Sequence, residues 1–265
     1  MKPEYKNWIP AGMIWQNGGK ALAAFCLAVA SGGMDVAGLP LPLRLILIFC
    51  CSMAAAFFGR RAWERWTVRR AFSYDDPHSP AWQIVEKMVS YVQLPPRGKC
   101  LDIGCGSGAL TIAVAKAHPD AVIIGTDPWD PKVTPEYSRE LCRRNAGAEG
   151  AKHAVFLYGI AQKVEFPDGT FDAVVSNYVY HQVRGMDPVD AILEALRTLK
   201  KGGIFVIHDR MTQDRYGSRD AIVQRVLESG CREARLIPTD EGLILPSSAS
   251  IRALFAGSCL LVGRK

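Results

Sequence analysis

The chemistry in this chain centres on three glycines that alternate between two carboxylates. Leu101-Asp102-Ile103-Gly104-Cys105-Gly106-Ser107-Gly108 is an apolar strand that ends in an acid and breaks into glycines spaced by one residue. That spacing lets the backbone turn sharply and lets a ligand approach main-chain atoms with no side chain between them. Ala109 to Ala117 reads as a helix, so the loop lies at a helix N-terminus, where N–H groups lack intrahelical partners. A second apolar run, Ala121 to Thr126, ends in Asp127, a carboxylate placed to accept hydrogen bonds from both hydroxyls of a ribose. These features predict a nucleoside-cofactor site. Gly104-x-Gly106-x-x-Ala109 also satisfies the dinucleotide fingerprint, and Asp127 suits either kind of cofactor, so the glycines alone do not choose between them.

Resemblance makes the choice. Leu101 to Gly108 resembles motif I of the class I S-adenosylmethionine (SAM) methyltransferases, Leu-Asp-x-Gly-x-Gly-x-Gly. Phe166-Pro167-Asp168-Gly169-Thr170-Phe171-Asp172-Ala173-Val174-Val175-Ser176 resembles the run that leads into the fourth strand of the same superfamily. Ser176-Asn177-Tyr178-Val179-Tyr180-His181-Gln182 resembles the Ser-Asn-x-x-x-His-His of the ubiquinone/menaquinone biosynthesis methyltransferases, with Gln182 in place of the second His. The resemblance covers residues 72–265. It implies SAM as cofactor, with the backbone of Gly104, Gly106 and Gly108 facing its methionine part and Asp102 fixing the loop and the methionine amino group. It further implies Asp127 as ribose ligand, Pro128 beside the adenine and Asn177 near the methionine end. Trp129 either packs on the adenine or is an ordinary surface aromatic. Where the family commonly has Gly-Asp-Ala, this chain has Gly159-Ile160-Ala161, which removes the carboxylate for the adenine amino group and leaves main-chain readout at Ile160 and Ala161.

The implied reaction is methyl transfer to an O, N or C nucleophile. His181, after the fourth strand, is the candidate catalytic residue, because imidazole exchanges protons near neutral pH. The residues leave a second role open, a histidine at a helix end that holds a structural bond. His208-Asp209-Arg210 ends the fifth strand and points into the same cleft, with His208 read as packed rather than reactive. The eight cysteines are scattered with no Cys-x-x-Cys pair, so neither a metal site nor a disulfide framework is expected. The alternative of another class is a non-catalytic SAM-binding sensor or membrane scaffold on the same fold.

Two apolar runs precede this domain. Fourteen uncharged residues lie between Lys20 and Asp35, and Leu45 to Gly59 is uncharged again. With Leu39 to Leu43 included, the second run is long enough for a bilayer core of about 20 residues if Arg44 sits at an interface. Residues 1–70 hold nine Lys/Arg and three Asp/Glu, whereas residues 71–265 hold 23 of each. Lys2 and Lys6 precede the first run and Arg60, Arg61, Arg65, Arg69 and Arg70 follow the second, while their connection carries only Asp35. That is the positive-inside pattern of a hairpin with both ends in the cytosol. The rivals are a signal peptide and a buried helical pair on a soluble protein. The reading taken is a membrane hairpin and basic stretch over residues 1–70, inserted through residues 12–59, and a methyltransferase domain over residues 71–265 that faces the cytosol. Its acceptor is a small molecule or lipid, and the neutral charge of the domain predicts no nucleic-acid partner.

The elements that position these residues follow from periodicity and capping. Apolar residues at helical spacing mark Ala81 to Tyr91, and strands are expected at Lys99 to Ile103, Val155 to Tyr158, Phe171 to Ser176, Ile204 to His208, Glu233 to Ile237 and Ser258 to Gly263. Pro135 to Asn145 and Arg219 to Ser229 read as helices, and Asp187-Pro188 as the start of another that runs through Leu199 to Gly202-Gly203. The fold class is α/β: a seven-stranded Rossmann-like class I methyltransferase sheet with helices on both faces, behind an N-terminal apolar helical hairpin.

Overall fold

The computed structural model describes residues 2–7, 9–33, 39–239, 241 and 253–265. The chain divides into two compact units, Asn7–Phe72 and a discontinuous one formed by Met1–Lys6 with Ser73–Lys265. The boundary expected after residue 70 therefore falls at Phe72, and the first residues of the chain go with the α/β unit.

The helical unit holds α1 (Ala11–Gly33) and α2 (Leu41–Ala71). Leu22, Phe25 and Leu27 of α1 and Leu45, Ile46 and Phe49 of α2 are exposed. Among the described residues, α2 is the one helix long and apolar enough to cross a membrane, with a mean hydropathy of 2.1 over a stretch of which none is buried. The first run does not qualify, since Gln16, Asn17, Gly18, Gly19 and Lys20 dilute α1. The basic stretch continues α2 rather than following it; Arg61 lies over the Phe57 ring and Arg70 over Trp66, at 5.3 and 5.6 Å. The Arg44 side chain reaches the Ser31 carbonyl, near the negative end of the α1 dipole. Asn7 closes the unit, its Nδ2 donating to the carbonyls of Arg69 at 2.9 Å and Phe72 at 3.0 Å. Arg69 in turn donates to the Ile9 carbonyl.

The α/β unit is built on strands β1 (Lys99–Ile103), β2 (Val122–Asp127), β3 (Val155–Tyr158), β4 (Phe171–Asn177), β5 (Leu199–Arg210), β6 (Glu233–Pro238) and β7 (Ser258–Arg264). Their order is β3-β2-β1-β4-β5-β7-β6, parallel except for β7, which runs antiparallel to β5 and β6. The strand order reverses between the parallel neighbours β1 and β4, so the ligand crevice of such a sheet opens beyond their carboxyl ends. Both faces are covered. Leu101, Ile103, Val174, Phe205 and Leu261 pack into one core with residues of α6 (Pro188–Arg197) and α8 (Arg219–Glu228). The alternate positions Cys100, Ala173, Val175, Val206 and Leu260 point to the other face and are equally buried. Three further helices are α3 (Pro80–Tyr91), α4 (Ala109–Ala117) and α5 (Arg139–Ala148); a single turn, α7 (Gln213–Tyr216), follows β5.

Two boundaries depart from the sequence reading. The helix after β2 starts at Arg139, not Pro135, because Ser138 caps it by accepting from the Leu141 N–H at 3.1 Å. Residues 131–138 instead form turns. The α6 helix ends at Arg197, where the Thr198 hydroxyl bonds back to the Ala195 carbonyl at 2.7 Å, and Leu199 pairs with Phe171 as the first residue of β5. Gly202-Gly203 thus lies inside a strand, at the register shift between Phe171 and Ala173, with the Gly202 N–H bonded to Lys265.

Candidate active site

The glycine loop joins β1 to α4. Gly104, Gly106 and Gly108 all have positive φ, at 70°, 56° and 90°, a region that costs L-residues about 1–2 kcal/mol each. Gly104 and Cys105 donate to the Thr126 carbonyl at 2.7 and 3.0 Å, which docks the loop on the end of β2. A Cβ at Gly104 would lie 2.2 Å from Val179 Cγ2, whereas one at Gly106 would meet only the Tyr137 ring at 3.3 Å. We therefore expect Gly104→Ala to lower the thermal midpoint by more than Gly106→Ala, by several degrees for about 1–2 kcal/mol of added strain, as measured by differential scanning calorimetry. Equal midpoints would mean that Val179 does not press on the loop.

Side chains rather than packing fix the carbonyls of this loop. Gly106 O accepts from Trp129 Nε1 at 2.9 Å and from Cys142 Sγ at 3.1 Å, and Ser107 O accepts from Asn145 Nδ2 at 3.1 Å. Asp127 holds the loop from the β2 end, its carboxylate accepting the Gly106 N–H at 2.9 Å and the Trp129 N–H at 2.7 Å. Burial pushes the Asp127 carboxyl up, and the same two backbone donors pull it back. Trp129 is bent to φ 43° to make its bonds, so it has a fixed structural role whatever its ring packs on. Pro128 is exposed beside it.

Asp102 lies under the loop rather than on its surface. It is buried and accepts from Thr111 Oγ1 at 2.6 Å, and burial pushes its carboxyl up to about 7 with the nearby Asp127 adding to the rise. A cationic group bound above the loop would relieve it. Past β3, Gly159 donates to the Asp127 carbonyl at 3.3 Å and Ile160 is exposed, while Ala161 is packed in the core beside Val164.

The end of β4 carries a second constellation. Asn177 Nδ2 donates to the Tyr74 hydroxyl at 2.9 Å, and Asn177 Oδ1 lies 2.8 Å from His208 Nδ1. His208 Nε2 pairs with Thr239 Oγ1 at 2.9 Å. With both nitrogens engaged and burial holding its pKa down to about 4, His208 stays neutral and structural. His181 differs. It sits in a 3-10 turn, Tyr180–Gln182, with its side chain partly exposed, and its Nδ1 is bonded to Asp209. Asp209 is fully buried and also accepts from the His181 N–H at 2.9 Å, the Tyr216 hydroxyl at 2.9 Å and the Arg210 N–H at 2.6 Å. A carboxylate on Nδ1 favours the tautomer with the proton there and the lone pair on Nε2, the state a general base requires. Arg215 steadies the same turn through the His181 carbonyl. Gln182, in the place of the second histidine, bonds the Tyr178 carbonyl at 3.2 Å.

Sequence reasoning missed Asp209 as the partner of His181, although an acid directly after a strand-end histidine is the kind of signal that could have raised it. Tyr74, Cys142 and Asn145 gave no local signal. A cavity of about 380 Å³ lined by Gln93, Leu94, Asp172, Lys200 and Arg264 lies at the amino ends of the strands, away from all of these groups. No group of three or more His, Cys, Asp or Glu residues suited to a metal ion occurs among the described residues.

Residues 101–207 match the family described as a methyltransferase domain. Sterol 24-C-methyltransferase erg6 of Aspergillus fumigatus is 29% identical over 160 residues, 59% of this chain and 40% of that protein. Demethylmenaquinone methyltransferase of Symbiobacterium thermophilum is 32% identical over 122 residues, 45% of each chain. Ribosomal RNA small subunit methyltransferase C of Shigella flexneri is 32% identical over 108 residues, 41% of this chain and 27% of that protein. The chain spans less than half the length of these curated relatives. Among solved structures, a chain of the complex of the Haloferax volcanii Trm112 methyltransferase activator aligns at TM-score 0.53 and 18% identity, over 69% of this chain and 89% of that one. Geranyl diphosphate methyltransferase in complex with SAM aligns at TM-score 0.51 and 16% identity, over 72% of this chain and 93% of that one. These two likenesses establish the fold alone. The relatives correct one expectation: a ribosomal RNA methyltransferase is among the matches, so the neutral charge of the domain does not rule out a nucleic-acid partner. The exclusion rested on a net charge of zero, which is a sum and says nothing about how charge is distributed over a surface. Residues 101–207 match a methyltransferase domain, and the seven-stranded sheet in which they are set has the class I methyltransferase fold.

Proposed function

We propose that this protein transfers a methyl group from SAM to a lipophilic acceptor at a membrane. The observation that carries the reading is the meeting, at the carboxyl ends of neighbouring strands, of a glycine loop tied to Asp127 and a His181–Asp209 pair. The cofactor is SAM. Gly104, Gly106 and Gly108 offer it main chain without side chains, Asp127 keeps acceptor capacity for its ribose, and the buried Asp102 favours its positive charge. Asn177, Pro128 and the main chain of Ile160 and Ala161 complete the cofactor wall. When bound, the sulfonium supplies a methyl group already activated for displacement, so the residues need only align the acceptor, exclude water and take up a proton. His181 Nε2 takes the proton of an acceptor O–H or N–H as its lone pair is committed to the new bond, and Asp209 stabilises the resulting imidazolium. A base poised in this way supports catalysis over the sensor or scaffold alternative.

The apolar acceptor is supported by the names of two relatives, a sterol and a demethylmenaquinone methyltransferase, and by α2. Both ends of the helical unit meet at Asn7, so α1 and α2 inserted together would return to one side, and the flanking Lys and Arg residues support the cytosol as that side. The function is tested by calorimetric titration of the full chain with SAM, then by incubating membranes with SAM labelled in its methyl group and identifying the labelled species. Absence of SAM binding would overturn it. The membrane reading has its own test: the full chain should sediment with membranes and resist carbonate extraction, and release by carbonate or by salt would remove the insertion.

A further inference from the structure

The residues ahead of the helical unit are built into the cofactor wall. Asn145, on α5 and 2% exposed, uses its whole carboxamide. Its Oδ1 accepts the Glu4 N–H at 2.8 Å, and its Nδ2 donates to the Glu4 carbonyl at 3.1 Å and to the Ser107 carbonyl at 3.1 Å. One side chain thus pairs with residue 4 as a neighbouring strand would and, through the same nitrogen, holds the loop residue between Gly106 and Gly108. On the next residue, the Tyr5 N–H donates to Asp75 Oδ1 at 2.8 Å. Asp75 directly follows Tyr74, whose hydroxyl accepts from Asn177. Residues 4 and 5 therefore bridge the glycine loop on one side and the Tyr74–Asn177 contact on the other. Tyr5 is 1% exposed, its ring 6.3 Å from that of Trp82, and Lys6 turns the chain away in the left-handed region at φ 58°.

We propose that Asn145 and the Glu4–Tyr5 strap are positioning elements of the cofactor site, holding the glycine loop in its binding shape so that SAM affinity depends on the start of the chain. The proposal rests on SAM being the cofactor. Chemistry favours positioning over mere packing. The loop between Gly104 and Gly108 has little side-chain bulk of its own, so its shape is set by what its carbonyls bond to, and Asn145 is the donor on Ser107. An amide is required there, because a carboxylate cannot donate to two carbonyls and an alanine removes the partner of three backbone groups, the buried Ser107 carbonyl among them. The Tyr5 ring carries the other half of the clasp by burial, whereas its hydroxyl has no hydrogen-bond partner among the described residues. Tyr5→Phe is therefore the conservative variant that keeps the clasp, and Tyr5→Ala the one that releases it.

The test uses the full chain in detergent, titrated with SAM by calorimetry and followed by hydrogen exchange. Asn145→Ala and Tyr5→Ala should each weaken SAM binding by about tenfold or more, and Tyr5→Phe should stay within about twofold of the unaltered protein. In the unliganded Ala variants the amides of residues 104–109 should exchange faster while those of β5 and β7 keep their protection, a split that a purely structural role would not produce. If the unaltered protein binds SAM and both Ala variants bind it as tightly, the strap is not part of the site. Faster exchange throughout the sheet would make the clasp structural only and overturn the proposal. An Asn145→Ala chain that fails to fold leaves the Tyr5 pair to decide in the same way. If the unaltered protein does not bind SAM, the proposed function falls first and this inference with it.

Discussion

Asp127→Ala should bind SAM about 30-fold or more weakly while keeping its fold, since charge-assisted hydrogen bonds to a ribose are worth about 2–4 kcal/mol together. The structure adds a second loss. The carboxylate that would meet the ribose also accepts the N–H groups of Gly106 and Trp129, so alanine strips two partly buried donors of their acceptor and slackens the loop. Asp127→Asn should fall between, because one amide oxygen remains to accept. Because burial raises the Asp127 carboxyl, its protonation should weaken SAM binding at a higher pH than an exposed aspartate would. Calorimetric titration of SAM, with circular dichroism to check the fold, reads all of this. Unaltered affinity in the alanine variant would take Asp127 out of the site.

The second large effect is on turnover. His181→Ala should lower kcat by about 10²–10⁴, the usual contribution of a positioned general base, and leave SAM affinity nearly unaltered. Asp209→Asn should lower kcat in the same direction. Asp209 receives four donors on two carboxylate oxygens: the His181 ring, the His181 N–H, the Tyr216 hydroxyl and the Arg210 N–H. An amide has one accepting oxygen and would present its own N–H to some of them, so the Nδ1–H tautomer of His181 loses its support. The measurement is steady-state rate with the identified acceptor at saturating SAM. Rates within a few-fold of the unaltered protein in both variants would leave the His181–Asp209 pair as architecture.

Local rules made most of the α/β unit readable. Strand–glycine–helix at 101–117 needs only an apolar run, residues that tolerate positive φ and a helical period. Asp187 caps α6 by accepting from Val189 and Asp190, as its place before Pro188 predicts. Reading failed where a choice depended on something distant. Leu199 continues the apolar stripe of α6 and fits a helix by pattern; its pairing with Phe171 on β4 decides otherwise. His181 and Asp209 are each visible as residues near strand ends, but their bond joins β4 to β5 across 28 positions. Glu4 and Asn145 lie 141 residues apart, and nothing local in either marks the contact. The single turn of α7 escaped for a different reason, since four residues are too few to show a period.

The helical unit interrupts the sequence of the α/β unit, and that interruption sets an order of assembly. The strap leaves the ribosome ahead of both helices, and its partners Asp75 and Asn145 follow only after those helices have been synthesised. Closing a flexible loop of this length costs about 4 kcal/mol of chain entropy. Pairing α1 with α2 meets that cost beforehand, because Asn7 then joins Phe72 across 65 positions and hands Lys6 and Ser73 to the folding domain as neighbours in space. The α/β unit is thus expected to close its strap contacts after the apolar helices have paired. Cutting the chain after Phe72 to obtain a soluble enzyme would discard the strap along with the helices, whereas exchanging residues 8–71 for a short turn would retain it.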